Sequence, residues 1–206
     1  MRKHHDHPLS LGAPRSRSMT DAQARKPLLL VDVDGVLNPF TAHVVPHGFE
    51  EHHLAGMRVL LSPAHGEWLR ELGSEFELVW ATTWEADANA LIGPLIGLPE
   101  LPFITFTPPD PTFEGYTIKL PDVIAFVGDR PAAWIDDDLS SDVRYWSHWR
   151  RTELGIPTLL VDVLPRLGLG KLHVERLRSF AAEIRAGRRD AGAESFDPQY
   201  GATGHA

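Results

Sequence analysis

The stretch LLLVDVDGVLNPF, residues 28–40, decides how this chain folds and where its chemistry lies. An apolar run that begins at Leu28 ends abruptly in two aspartates one residue apart, Asp32 and Asp34, and Gly35 follows them. Carboxylates at the end of a buried strand are costly unless a cation or a reaction needs them there. Turn formation and helix capping are the ordinary uses of aspartate, but a pair directly after an apolar run favours a functional site.

The composition is typical of one globular domain. The chain has 206 residues, of which 43% are apolar, and it has no cysteine. A metal ion would therefore need oxygen or imidazole ligands, and disulfides and a thiol nucleophile are excluded. No apolar run approaches the roughly 18 residues of a membrane helix, and the N-terminal residues lack the apolar stretch of a secretory signal. We expect a cytoplasmic protein with no membrane partner.

The formal net charge of −8 is unevenly distributed. Residues 1–27 hold six of the 20 basic and two of the 28 acidic side chains, so the rest of the chain holds 14 and 26, a balance of −12. An acidic surface repels the phosphate backbone of a nucleic acid. We therefore expect a small phosphorylated substrate, and nucleic acid stays open as the less favoured partner.

Short apolar runs alternate with helical stretches between the two ends of the chain. This pattern predicts an α/β fold, a Rossmann-like five-stranded parallel sheet with crossover helices. The predicted strands are 28–33, 77–81, 103–106, 132–135 and 158–161, and the predicted helices are 64–73, 86–92, 121–127 and 171–185. We expect the α/β domain to span 28–187, between a disordered basic tail at 1–27 and a flexible tail at 188–206.

Residues 39–61 do not fit the alternation. The sequence GFEEHHLAGMRVLL, residues 48–61, predicts two short strands around Ala55-Gly56, and thus a small β flap inserted after the first strand. Ligands of α/β folds meet such loops at the carboxyl edge of the sheet, so the flap is expected to cover the site. Two roles stay open for the histidines in and near the flap: zinc binding, or substrate contact by His52 or His53. These histidines are His43, His47, His52, His53 and His65.

Several polar residues follow the predicted strands. The carboxyl ends of parallel strands share one edge, so residues that are distant in sequence converge there. Any one of them alone would be ordinary, but together they form a cluster of acids, hydroxyls and one ammonium. The residues expected at this edge are Asp32, Thr82, Thr83, Lys119, Asp136, Asp137 and Asp138.

The order of these motifs resembles the haloacid dehalogenase superfamily. Its pattern is a strand ending in Asp-x-Asp, a strand ending in Thr or Ser, a lysine, and a strand ending in an acidic pair. The corresponding motifs here are DVDGV, VWATT, Lys119 and WIDDD, within residues 28–165. The segments VWATTWEADAN and PAAWIDDD are most similar to small-cap, phosphatase-like members, including domains of RNA-repair proteins.

The resemblance implies a Mg²⁺-dependent phosphohydrolase that works through an aspartyl-phosphate. Asp32 would be the nucleophile, and Asp34 the general acid and then the general base. Thr82, favoured over Thr83, and Lys119 would hold the transferring oxygens.

The resemblance also implies a set of metal ligands. Mg²⁺ would be held by the Asp32 carboxylate, the backbone carbonyl of Asp34 and an acid of the fourth strand. Asp137 is favoured for that ligand, Asp136 is second and Asp138 third. In VGDRP, Asp129 imitates a Gly-Asp form of the last motif, but its position after a predicted helix indicates a surface loop.

Three other functions stay open. A phospho-acceptor of the receiver type also uses acids, Thr and Lys, although its lysine lies on the last strand whereas Lys119 precedes the acidic triplet. A binding module could keep the same scaffold without catalysis. A nucleic-acid end phosphatase would share the chemistry and differ in its substrate.

Overall fold

A computed structural model describes residues 25–108, 118–188 and 190–193. Most of the two predicted tails therefore lies outside the described residues. The strands are β1 (Leu28–Val31), β2 (Glu50–Leu54), β3 (Met57–Leu61), β4 (Glu77–Trp80), β5 (Ala132–Asp136) and β6 (Thr158–Asp162). The α-helices are α1 (Pro63–Leu72), α2 (Leu120–Val127), α3 (Ser141–Thr152) and α4 (Lys171–Arg185). Over this part of the chain, no helix is long and apolar enough to cross a membrane.

The central sheet is parallel and has the strand order β4-β1-β5-β6. β1 lies between β4 and β5, with Val31 in register with Trp80 on one side and Ile135 on the other. The prediction of a Rossmann-like α/β fold is confirmed. Because the three strands end at the same level, the residues that follow them meet at one edge.

β1 is apolar throughout because both faces of the sheet are covered. Leu29 and Val31 pack into a core with α1 and α4, whereas Leu28 and Leu30 face a second core with α2 and α3. All four side chains are buried. Full burial of a leucine stabilises a fold by about 1.5–3 kcal/mol, so this strand anchors the aspartates that follow it.

The predicted fifth strand at 103–106 is wrong, because the sheet has four strands. That segment contributes a single parallel bridge between Trp80 and Phe103. The Trp80 N–H donates to the Pro102 carbonyl, and the Ile104 N–H donates to the Trp80 carbonyl, both at 2.9 Å. Prolines at 102 and 108 cannot donate to a ladder, so regular pairing does not extend from this bridge.

Two helical segments differ from the prediction. The segment predicted as a helix at 86–92 is a π-helical turn, Ala88–Ile92, followed by a 3₁₀ turn, Gly93–Ile96. Pro94 lacks the N–H that an α-helix would use there. α3 was not predicted, although its buried residues Val143, Trp146, Ser147 and Arg150 follow a helical spacing of three to four.

β2 and β3 form an antiparallel hairpin in the region where the sequence indicates a flap. Ala55 and Gly56 at its turn both have positive φ, 50° and 79°, as a tight hairpin turn requires. Val59, Leu60 and Leu61 of β3 are buried, whereas β2 is mostly exposed. The hairpin is therefore anchored in the core through β3.

The chain after α4 turns back onto the domain. Ala191 is fully buried in the core, and the Gly192 N–H donates to the Glu183 carboxylate at 3.3 Å. Ala191 and Gly192 are thus buried against the domain, within the segment that the sequence predicts as a flexible tail.

Candidate active site

Lys119 joins two carboxylates at the carboxyl edge of the sheet. Asp32 directly follows β1, Asp136 ends β5, and Lys119 is the N-cap residue of α2. The Lys119 ammonium donates to Oδ2 of Asp32 and to Oδ2 of Asp136, each at 2.7 Å. Asp32 is 4% exposed and Asp136 is fully buried. Residues 87 positions apart in sequence therefore form one buried ion cluster.

Asp136 has hydrogen-bond partners at both carboxylate oxygens. Its Oδ2 also accepts from the Trp134 indole N–H at 3.1 Å, and its Oδ1 accepts from the Asp138 N–H at 2.9 Å. With Lys119 as a third donor, this carboxylate is oriented entirely by the protein.

Asp137 is more open and lies against Gly35. A Cβ added to Gly35 would lie 2.2 Å from Cγ of Asp137, so this carboxylate fills the space that glycine leaves free. Gly35 also has a φ of +77°, which glycine adopts without strain. One carboxylate oxygen from each of Asp32, Asp136 and Asp137 lies within 4.8 Å of the others, close enough to hold one metal ion.

The electrostatics of the cluster follow from burial and from like charge. Burial, opposed by Lys119 and reinforced by Asp136, holds the pKa of Asp32 well above its usual range. Burial and the charge of Asp136 also raise the pKa of Asp137. Burial alone would lower the pKa of Lys119, but the two carboxylates outweigh it and raise that pKa. Three acids around one ammonium leave an excess of negative charge, which an oxygen-preferring cation would offset.

Asp34 lies beside this cluster but outside the group of carboxylates that could share an ion. Its Oδ2 accepts from the Trp84 indole N–H at 2.9 Å, and its Oδ1 accepts from the Asn38 side-chain amide at 2.7 Å. The sequence interpretation did not single out Asn38. The signal was a lone amide in the otherwise apolar VLNPF segment.

The two threonines after β4 occupy different environments. Thr82 is 1% exposed and lies close enough to Asp32 to lower the pKa of that carboxyl, whereas Thr83 is exposed. The structure therefore brings Thr82 into the cluster and leaves Thr83 outside it. Asp138 is exposed as well, and Asp129 is exposed in the loop that follows α2.

The histidines near the flap do not converge. His65, in the first turn of α1, is buried and its Nε2–H donates to the Leu169 carbonyl at 2.9 Å. His43, His47 and His53 are exposed, and His52 is half-buried. Among the described residues, the acids of the sheet edge are the group found close enough to bind a metal, so zinc has no histidine ligand set there.

A parallel sheet whose central strand ends in Asp-x-Asp, with Thr, Lys and paired acids at the same edge, defines the haloacid dehalogenase class of α/β domains. A family model described as the HAD domain in Swiss Army Knife RNA repair proteins matches residues 28–174, and the chain belongs to this family. The resemblance inferred from the motifs is thereby confirmed. A search of curated proteins found no match.

Proposed function

We propose that this protein is a magnesium-dependent phosphohydrolase that acts through a phosphorylated Asp32. The observation that carries the proposal is the Lys119 ammonium held 2.7 Å from both Asp32 and Asp136, with a third carboxylate close by. A positive charge beside a buried carboxylate at the carboxyl edge of the sheet suits a nucleophile that must receive a dianionic phosphoryl group. Family membership supports the same class of reaction.

The reaction proceeds in two displacements. A carboxylate oxygen of Asp32 attacks phosphorus, the bond to the leaving oxygen breaks, and Asp34 gives that oxygen a proton. Water then attacks the aspartyl-phosphate, Asp34 takes a proton from it, and the bond to Asp32 breaks to release inorganic phosphate. Lys119 and Thr82 hold the non-bridging oxygens as negative charge grows on them.

Three acidic side chains suit a hard cation such as Mg²⁺. Asp32 and Asp137 are the carboxylates we assign to it, with the backbone carbonyl of Asp34, because the oxygens of Asp136 already accept three protein hydrogen bonds. Asp136 is within reach as a further ligand. The bound ion would offset the negative charge of the acids so that a phosphate can approach.

Two classes of substrate remain in competition. The acidic balance outside residues 1–27 favours a small phosphorylated molecule, because a polynucleotide would be repelled. The family description names RNA repair proteins, which favours a phosphorylated RNA end as the second candidate. The same nucleophile serves both, so the chemistry can be tested before the substrate is known.

The test is turnover of an aryl phosphate with and without Mg²⁺. We expect Mg²⁺-dependent release of phosphate by the wild type and its loss in Asp32→Asn, with Asp129→Asn as a matched exposed control. Activity that survives Asp32→Asn would exclude Asp32 as the nucleophile. Phosphate incorporation without release would favour a phospho-acceptor, and neither would favour a binding module. A panel of phosphorylated metabolites and of 5′- and 3′-phosphorylated oligonucleotides then compares the substrate classes.

A further inference from the structure

Asn38 makes side-chain hydrogen bonds in two directions and is 2% exposed. Its Oδ1 accepts from the Leu60 backbone N–H of β3 at 2.9 Å, and its Nδ2 donates to Oδ1 of Asp34 at 2.7 Å. A backbone N–H can only donate, so it fixes which end of the amide faces β3. The amide NH₂ must then face Asp34.

The backbone holds Asn38 beside Asp34. The Asn38 N–H donates to the Val33 carbonyl, and the Gly35 N–H donates to the Asn38 carbonyl, both at 2.8 Å. These bonds close the chain after β1 into a tight turn in which Asp34 and Asn38 form a bridge. The contact between the two side chains is therefore built into the turn and does not depend on a mobile surface group.

Trp84 completes the arrangement from the opposite side. Its indole N–H donates to Oδ2 of Asp34 at 2.9 Å, and Trp84 is 8% exposed. Donors at both oxygens fix the rotation of the Asp34 carboxylate, which a single donor would leave freer.

We propose that Asn38 is a positioning residue that couples the flap to the proton-transfer group. Through Leu60 it takes its orientation from β3, and through its amide it sets the direction in which Asp34 faces the reacting oxygen. This inference rests on the proposed role of Asp34 as general acid and base. A shift of the flap strand would be transmitted to Asp34 through this one side chain.

If Asn38 only stabilised the fold, its hydrogen bond to Leu60 would be enough. The buried Leu60 N–H needs an acceptor, and Asn38 Oδ1 supplies it, but this need does not involve Asp34. Asn38→Asp keeps an acceptor for Leu60, removes the donor to Asp34 and sets a second carboxylate against it. It therefore separates the two roles, whereas Asn38→Ala would remove both bonds.

The experiment is a double-mutant cycle with Asp34→Asn, read as kcat and KM on aryl phosphates. We expect Asn38→Asp to lower kcat about 10- to 100-fold with little change in KM, since a hydrogen bond to a charged group is replaced by a contact between two carboxylates. The loss should grow as the leaving phenol becomes less acidic, because a poorer leaving group depends more on the acid. In Asp34→Asn, the further change Asn38→Asp should cost less than about twofold.

An equal loss in both backgrounds, or a loss independent of the leaving group, would overturn the proposal. Trp84→Phe keeps the bulk of the ring, removes the second donor, and should show the same dependence on Asp34 and on the leaving group. Trp84→Phe replaces Asn38→Asp in this test if that variant fails to fold. A loss in Trp84→Phe that depends neither on Asp34 nor on the leaving group would count against the positioning of Asp34.

A measurement without turnover separates this inference from the proposed reaction. The side-chain amide protons of Asn38 in wild-type protein should exchange slowly, and their NMR resonances should shift in Asp34→Asn. Rapidly exchanging, unshifted protons would overturn the contact. Turnover that survives Asp32→Asn would instead refute the reaction, whatever the amide protons show.

Discussion

Asp136 and Asp137 are neighbours in the chain but have different partners at the site. Asp136 is fully buried, and its oxygens accept from Lys119, from Trp134 and from the backbone N–H two residues on. Asp137 is half-buried, and its carboxylate lies against Gly35. Alternation along a strand end places successive side chains on opposite sides, so the two carboxylates meet different neighbours.

The first prediction concerns the metal ligand. Asp137→Asn should weaken Mg²⁺ binding by about tenfold or more, because a charged ligand of a hard cation is replaced by a neutral one. Asp138→Asn is the matched control, since Asp138 is adjacent and exposed. Titration calorimetry or the Mg²⁺-dependent shift in Tm would measure the difference. Equal weakening in both variants would mean that general charge, and not ligation, controls binding.

The second prediction tests the space at Gly35. Gly35→Ala should abolish most of the Mg²⁺-dependent stabilisation, because the new Cβ would lie 2.2 Å from Cγ of Asp137 and force that carboxylate away. Gly48→Ala is the control: its φ is +83° and it has no atom within 4 Å of the added Cβ. The backbone strain is therefore comparable and the clash is absent. Retention of the Mg²⁺ effect in Gly35→Ala would show that Asp137 is dispensable for the ion.

Among the elements, α1 is tied to the loop before α4 by a buried histidine. His65 donates to the Leu169 carbonyl at 2.9 Å, and its ring packs edge-on against Phe49 with 5.3 Å between centroids. Burial lowers the pKa of His65 to about 4 from its ordinary value of 6.5. The histidine is therefore a packed, neutral member of the core and is not available to bind a ligand in the flap.

The third prediction is the acid sensitivity that follows from this burial. The unfolded chain binds a proton at His65 below about pH 6.5, whereas the folded protein does so only near pH 4. Stability from this residue is therefore complete above pH 6.5 and falls as pH drops towards 4, by up to about 3 kcal/mol. In His65→Gln, denaturant unfolding should show a correspondingly shallower fall over this range. His148→Gln, at an exposed position, should retain the wild-type slope.

The elements also show what a sequence can predict and what it cannot. Asp32, Thr82 and Asp136 could be predicted to meet because parallel strands end at one edge, a rule that needs only strand order. Lys119 precedes a helix, so its place in this group could be predicted only from the order of the motifs. The prediction of a strand at 103–106 was wrong, because an apolar run does not show whether a neighbouring strand will pair with it.

The contacts of Asp34 could not be predicted from strand order. Trp84 lies 50 residues from Asp34, and Leu60 lies 22 residues from Asn38. Hydrogen bonds between such distant groups depend on where the flap and the loop after β4 settle in the fold. Local propensity and spacing along the sequence do not determine that placement, so the role of Asn38 could be inferred only from the structure.

At the scale of the whole molecule, charge divides the chain into unlike parts. Residues 1–27 carry six basic side chains against two acidic ones, and the remainder carries 14 against 26. Within the described residues, several arginines are already paired, such as Arg178 with Glu71 and Arg185 with Glu75. A polyanionic substrate would therefore gain most attraction from the N-terminal segment, whereas a small phosphate would gain little.

The fourth prediction uses this division to distinguish the two substrate classes. Arg15 and Arg17, which lie outside the described residues, are replaced by glutamine, and Arg178→Gln with Arg185→Gln makes an equal change in net charge as control. We expect the first pair to lower kcat/KM for a phosphorylated oligonucleotide about three- to tenfold at low salt, an effect that fades as salt screens the charges. Neither pair should alter turnover of an aryl phosphate, because the cluster around Lys119 is untouched. If kcat/KM for the oligonucleotide is unchanged by the N-terminal substitutions, or falls equally with both pairs, the N-terminal charge does not contribute to substrate binding. That outcome would favour the small phosphorylated molecule.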